Sequence, residues 1–410
     1  MSYEISIKGV STDLDISEEE SISLLIRIMD EIGYQAFTRR IFEGRFSSQE
    51  VSSFLTHFNS ILEERITYEC LVHGEQEIAD SINTLCSFCN ASTNGNSNHE
   101  TEILYLISKP KFKSIIAWLN EEEKKMYFLP QYKGNMNELI EMKKRIIPFV
   151  GSGLSIPFGI PDWGGLIKAI NPDFEKQYHK DEFLDQVKNG EFMEALDLIK
   201  TKSFTITTEK QLQRKIVSII KNKELPHVEN DNHNYVDLLK LNSNFYITTN
   251  YDLILSKKLT ENYGYTTPVS FNDIDDTFSI HAGENKVLHL HGHIDKDDQM
   301  VVSEESYKGF YNNQDNKTKL ASLIGSKKLL FIGFSFQDAF FEDLYHNLNN
   351  VIGNEHYIIV ANPDGDKARE FLKKNLRVIG LKVKTKPDGR FDSQDYVKAL
   401  RLLLHHLENA

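Results

Sequence analysis

Glycine, serine, asparagine, aspartate and histidine stand where short apolar runs of this chain stop. Ile146-Ile-Pro-Phe-Val150 runs into Gly151, Ser152, Gly153 and, one residue on, Ser155. Phe245-Tyr-Ile ends in Thr248, Thr249, Asn250, Tyr251 and Asp252, and Leu288-His-Leu ends in His291 and Gly292. Gly159-Ile-Pro-Asp162-Trp163, Gly333-Phe-Ser335 and Ala361-Asn362-Pro363 complete the series. A turn without Cβ atoms lets backbone N–H groups approach a phosphate, and a helix start behind it adds favourable electrostatics. The Asn250 amide offers both an acceptor and a donor, suited to orienting a water, while an imidazole such as His291 ordinarily titrates near neutrality. Each residue also has a plainer reading. Asn250 would cap a helix starting near Tyr251, Asp162 would be a turn residue after proline, His291 a hydrogen-bonded structural histidine and Trp163 part of the core. Their succession at strand ends favours one shared nucleotide site. His289, His291 and His293 alternate toward Asp295, which invites a metal reading; the order lacks an Asp-His ending, and Gly292 should stop the strand and end the shared face.

The elements that must hold these residues are strands alternating with helices. Ile146–Val150, Phe245–Thr249, Val287–Leu290, Leu329–Gly333 and Tyr357–Ala361 are apolar throughout, and stretches such as Glu191–Thr201, Glu209–Lys221 and Lys367–Lys374 have helical spacing. That alternation predicts a Rossmann-like α/β fold, a parallel sheet with helices on both faces, whose ligand sits beyond the carboxyl ends of the strands. We assign residues 141–410 to this domain and 1–140 to a mostly helical module for oligomerisation or partner docking. In that module Ser17 and Ser47 head acidic helix starts, the second helix is expected to run to about Ile66, and Ile103–Ile107 is a strand. Residues 91–99 are polar and aperiodic, a loop.

With 410 residues, 26% charged and a net charge of −13, the chain reads as an ordinary globular protein that does not coat nucleic acid. Residues 367–390 are a local exception, nine basic residues against Glu370 and Asp388, either a solvated helix and strand face or a contact for an anionic partner. The first residues lack a signal-peptide pattern and no apolar run is long enough for a membrane span. Three cysteines make no disulfide framework, so a cytoplasmic location is expected. Cys86 and Cys89 form a C-x-x-C, yet no second pair or neighbouring histidine cluster completes a zinc site in sequence. They fall in Ile78–Cys89, whose spacing suggests buried helix thiols, with redox or metal chemistry as the alternative.

From Arg145 onward the ordered motifs Gly-Ser-Gly-x-Ser, Gly-Ile-Pro-Asp-Trp, Thr-Thr-Asn-Tyr-Asp, His-Gly, Gly-x-Ser and a late Asn resemble those of the sirtuin family. The resemblance implies that Gly151, Ser152, Gly153 and Ser155 line the NAD pyrophosphate and that Asp162 and Trp163 flank the nicotinamide. It places Thr249, Asn250 and Asp252 at the nicotinamide ribose and carboxamide, makes His291 the catalytic histidine, and puts Gly333, Ser335 and Asn362 on the adenosine side. Deacylating sirtuins insert a zinc ribbon after that histidine; no cysteine follows Cys89 here, so no zinc is expected. A chain that keeps the NAD half resembles the sirtuin-like NAD hydrolases of bacterial antiphage defence, above all the sirtuin-like partner of a HerA-type ATPase. This implies cleavage of NAD to nicotinamide and ADP-ribose, restrained by a partner ATPase or by homo-oligomerisation. A protein deacylase, an ADP-ribosyltransferase and a non-catalytic NAD or ADP-ribose sensor are the alternatives; a sensor would be expected to have lost Asn250 or His291.

Overall fold

The computed structural model describes residues 3–79, 81, 83–264, 266–275, 277, 286–334, 339–387 and 389–408. The chain divides into two units, Met1–Met126 and Tyr127–Ala410. The division falls earlier than the expected 140/141 boundary. The helix Lys133–Glu141 belongs to the second unit, where Met136 and Leu139 enter the core and Asn135 donates to the Val378 carbonyl at 2.8 Å.

The first unit holds helices Tyr3–Leu14, Glu18–Ile32, Ser48–His57 and Lys109–Tyr127. Ser17 and Ser47 both close capping boxes, with Glu20 and Glu50 reaching back, so the sequence signals for these starts are realised. The rest of the unit is less helical than expected. Strands β1 (Leu62–Cys70), β2 (Glu75–Ala79) and β3 (His99–Ile107) form an antiparallel sheet in the order β2-β1-β3. The second capped helix stops at His57 rather than near Ile66, because Ile66-Thr-Tyr68 is β-branched and aromatic and pairs on both sides. The helix expected over Ile78–Cys89 is also absent from the described residues. Ile78 and Ala79 close β2, and Leu85 bridges Ser92 across a tight turn whose Asn90 has a left-handed φ of 57°.

The second unit is built on a seven-stranded sheet. To the strands β4 (Ile146–Val150), β5 (Phe245–Thr248), β7 (Lys286–His289), β8 (Lys328–Ile332) and β9 (His356–Ala361) it adds β6 (Pro268–Ser270) and β10 (Leu376–Leu381). The order is β10-β9-β8-β4-β5-β7-β6 and every pairing is parallel. Alternate residues feed two separate cores. Val150, Tyr246, Leu330, Ile332 and Ile359 enter one; Phe149, Phe245, Ile247, Phe331 and Ile358 enter the other. That is why the central part of each long strand is apolar on both faces. The chain leaves β4 toward β5 but leaves β8 toward β9, so the connections diverge at the β4/β8 boundary, where such sheets open a ligand crevice. No described helix is long and apolar enough to cross a membrane.

Candidate active site

Backbone crossing shapes the first turn. The Gly151 N–H donates to the Ile332 carbonyl at 2.8 Å and the Gly153 N–H to the Gly333 carbonyl at 3.0 Å. A Cβ on Gly151 would meet the Gly333 oxygen at 2.6 Å, and one on Gly153 would meet it at 2.8 Å. Gly333 has φ +80°. These glycines are required because two strand ends touch, and the amides of Gly151 and Gly153 are engaged with β8 rather than aimed at a ligand. Ser152, between them, lines a cleft.

That cleft is lined by Ser152, Trp163, Thr249, Asn250, Asp252 and His291 among the expected site residues, with Ile160, Pro161, Leu166, Ile220, Tyr251 and Phe334 as further walls. It offers about 50 Å³, room for a few waters. Trp163 sits on one side with its ring 5.8 Å from that of Tyr251. Tyr251 is fixed in turn by donating to the Val301 carbonyl at 2.5 Å.

Asn250 is buried and does not cap a helix; the next helix starts at Ile254. Its amide nitrogen donates to the Gly151 carbonyl at 3.1 Å and to Ser155 Oγ at 3.2 Å. The backbone around it is held as well, its N–H by Thr248 Oγ1 at 3.0 Å and its carbonyl by His289 Nδ1 at 2.9 Å. With the NH2 engaged behind the cleft, Oδ1 is the acceptor Asn250 has for a ligand. Ser155 is wholly buried, 2.8 Å from the Tyr235 hydroxyl, and it does not line the cleft. It touches Asn250 and hydrogen-bonds Asp252 from behind the cleft. Asp252 is buried; burial raises its pKa to about 6, opposed by hydrogen bonds from the Ile254 N–H and from Ser155.

His291 stands 2.9 Å from the Tyr311 hydroxyl through Nε2. Burial lowers its pKa to about 3, so the imidazole is neutral at physiological pH, contrary to the expectation that it titrates near neutrality. Tyr307, Phe310 and Tyr311, spaced along one helix face, surround it. His289 and His293 have their rings 5.0 Å apart, and neither Nε2 has a hydrogen-bond partner among the described residues. β7 ends at His289 and Gly292 has φ +76°, so the three histidines share no strand face and form no metal-ligating group among the described residues.

Other expected site residues lie elsewhere. Asp162 is exposed and caps the helix Trp163–Ile170 by accepting from the Gly165 N–H at 2.7 Å. Asn362, with φ 42°, bonds the Val383 backbone through both side-chain atoms, at 2.6 and 2.9 Å. That side chain ties β9 to the segment after β10 and is not in the cleft. Ser335 lies outside the described residues. Tyr311, Tyr235 and Tyr251 were not foreseen. The aromatic spacing of 307, 310 and 311 marks a buried helix face, but nothing in the sequence says which histidine it meets. At least three of the nine basic residues of the run form ion pairs: Arg377 with Glu355 and Glu138, Arg369 with Asp366 and Lys367 with Glu342.

A doubly covered parallel sheet whose carboxyl edge holds a largely apolar cleft with a few polar side chains defines a Rossmann-like α/β protein. The profile of the family described as a SIR2-like domain matches residues 244–379, which includes Asn250, His291 and Gly333 but not the Gly151 turn. The chain is 28% identical over 213 residues to the NAD(+) hydrolase ThsA of Cytobacillus dafuensis, covering 51% of this chain and 40% of that protein. It is 26% identical over 194 residues to the NAD(+) hydrolase ThsA of Acinetobacter baumannii (strain 532279), covering 46% and 36%. A third relative, the NAD(+) hydrolase ThsA of Enterococcus faecium, is 25% identical over 270 residues, covering 58% and 46%. The chain therefore spans less than half the length of these curated relatives.

Proposed function

We propose that this chain hydrolyses NAD to nicotinamide and ADP-ribose. The observation that carries the reading is the convergence of Asn250, Asp252 and His291, from two separate strand ends, on one cleft beside Trp163. The SIR2-like match and the relatives named as NAD(+) hydrolases support the choice of substrate. In the reaction the bond from C1′ to the nicotinamide nitrogen breaks and its electron pair neutralises the pyridinium. A water oxygen bonds to C1′, and one proton leaves the water. Nicotinamide departs as a neutral molecule, so no acid is needed to expel it; what needs help is the oxocarbenium-like transition state and the nucleophile. Asn250 Oδ1 orients the water. Asp252, with a pKa of about 6, takes the proton. His291, neutral and held by Tyr311, hydrogen-bonds a ribose hydroxyl. Trp163 and Phe334 screen the ring from bulk water.

The setting we infer is a cytoplasmic effector of bacterial antiphage defence that depletes NAD. A homo-oligomer or a HerA-type ATPase restrains it through the N-terminal unit, since unregulated hydrolysis would harm the host. The test is product analysis: NAD is incubated with purified full chain in ¹⁸O-labelled water, with and without an acyl-lysine peptide. The proposal expects nicotinamide and ¹⁸O-labelled ADP-ribose in equal amounts, unaffected by peptide. Transfer to peptide or protein in place of labelled ADP-ribose, or no nicotinamide release, rejects it.

A further inference from the structure

Cys70, Cys86, Cys89 and His99 come from two strands and the turn between them, and one ligand atom from each lies within 4.8 Å of all the others. This revises the sequence reading, in which nothing completed the C-x-x-C. Cys70 closes β1 and sits directly opposite His99, the first residue of β3, in the antiparallel register. Cys86 and Cys89 come from the turn between Leu85 and Ser92, where the Cys86 N–H donates to the Ala91 carbonyl at 2.8 Å and the Asn90 N–H to the Cys86 carbonyl at 2.8 Å. Within this turn the backbone N–H groups of Phe88 and Cys89 face the Cys86 sulfur, and the N–H of Ala91 faces that of Cys89. Amides arranged in this way satisfy thiolates rather than thiols. His99 Nε2 is 3.3 Å from the Cys89 sulfur.

We propose that these four side chains bind one structural Zn²⁺ ion. Ligand atoms about 2.3 Å from a tetrahedral zinc stand roughly 3.8 Å apart, which the present spacing reaches with small side-chain rotations. Three soft thiolates and an imidazole suit Zn²⁺ over hard cations. Protein donors fill all four positions, leaving none for a water, so the site is structural and carries no chemistry on substrate. The local core explains why an ion is needed. Among the described residues the apolar core of this cluster consists of Tyr68, Cys70, Ala79 and Cys86, and β2 is exposed along most of its length. So small a core does not by itself hold a hairpin, and a metal staple supplies what apolar burial lacks. The proposal is independent of the NAD cleft.

Full-length protein purified without chelators should contain about one zinc per chain by elemental analysis. Its three thiols should react slowly with a disulfide reagent until a strong chelator removes the metal, and then readily. Paired Cys86→Ser and Cys89→Ser substitutions should abolish zinc retention, and His99→Ala should weaken it by roughly 10-fold or more. If a variant fails to fold, the wild-type metal content and thiol reactivity decide alone. Metal-free protein even after growth in zinc-supplemented medium, iron in place of zinc, a Cys86–Cys89 disulfide, or zinc unchanged by the paired substitution would each overturn the proposal.

Discussion

A carboxylic acid with a pKa of about 6 and an imidazole with a pKa of about 3 line the same cleft. That inverts the usual division of labour between the two groups, and both shifts are dominated by burial. In the proposed reaction, proton transfer near neutrality is therefore assigned to Asp252. Nicotinamide release should decline as pH falls through about 6 and show no limb from His291 between about pH 5 and 9; a rate flat down to pH 5 would remove Asp252 from that role. Asp252 also makes a stability prediction. Its folded pKa is raised above the ordinary aspartate value, so the favourable contribution of its neutral form is present below about pH 4 and lost as pH rises through about 6. Asp252→Asn should then stabilise the fold by about 2–3 kcal/mol at pH 8 and by little at pH 4, measured by denaturant melts at both. Tyr311→Phe should lower kcat roughly tenfold, by losing the hydrogen bond that orients His291; an unchanged kcat would make Tyr311 a packing residue only. Asn250 and His291 were legible in the sequence because strand-end position and residue type coincide. The burial that makes His291 neutral and hides Ser155 was not, since it depends on helices contributed from elsewhere in the chain.

At the scale of elements, the contact between the Gly151 turn and Gly333 sets the shape of the crevice. Gly151→Ala should cost about 1–3 kcal/mol by forcing the ends of β4 and β8 apart, because its Cβ would lie 2.6 Å from a backbone oxygen that cannot rotate away. Gly134→Ala is the matched control. It lies in the helix Lys133–Glu141 with nothing within 4 Å of the added methyl, and should be neutral or stabilising by up to about 1 kcal/mol. Equal melting temperatures for wild type and Gly151→Ala would refute the crossing. The five core strands of the sheet were readable because strands buried on both faces are apolar without interruption. β6, three residues long, and β10, embedded in a basic run, lacked that signature. Ile78–Cys89 misled because Ile78, Ile82, Leu85 and Cys89 recur at helical intervals, whereas a turn closing on Cys70 and His99 is a long-range arrangement no local period encodes.

For the whole molecule, four histidines of the second unit, His233, His289, His291 and His356, are held neutral by burial, with pKa values lowered to about 4, 3, 3 and 4. Their folded values lie below the unfolded one, so the stability they confer is complete above about pH 6.5 and is lost as pH falls toward the folded values. Acid unfolding near pH 5 should take up about four protons from these groups, which the pH dependence of denaturant stability measures directly; no proton uptake in that range would show the imidazoles to be solvated. The two-unit organisation follows from the change of texture along the chain, but the boundary near Met126 depends on the helix Lys133–Glu141 joining the second core, which only packing reveals. The central claim concerns the cleft, and the most direct test is steady-state nicotinamide release from NAD by the full chain beside Asn250→Ala and His291→Ala, each confirmed folded by circular dichroism. Both variants should lose roughly 10²–10⁴-fold in rate. Variants that release nicotinamide as fast as the wild type would contradict the account.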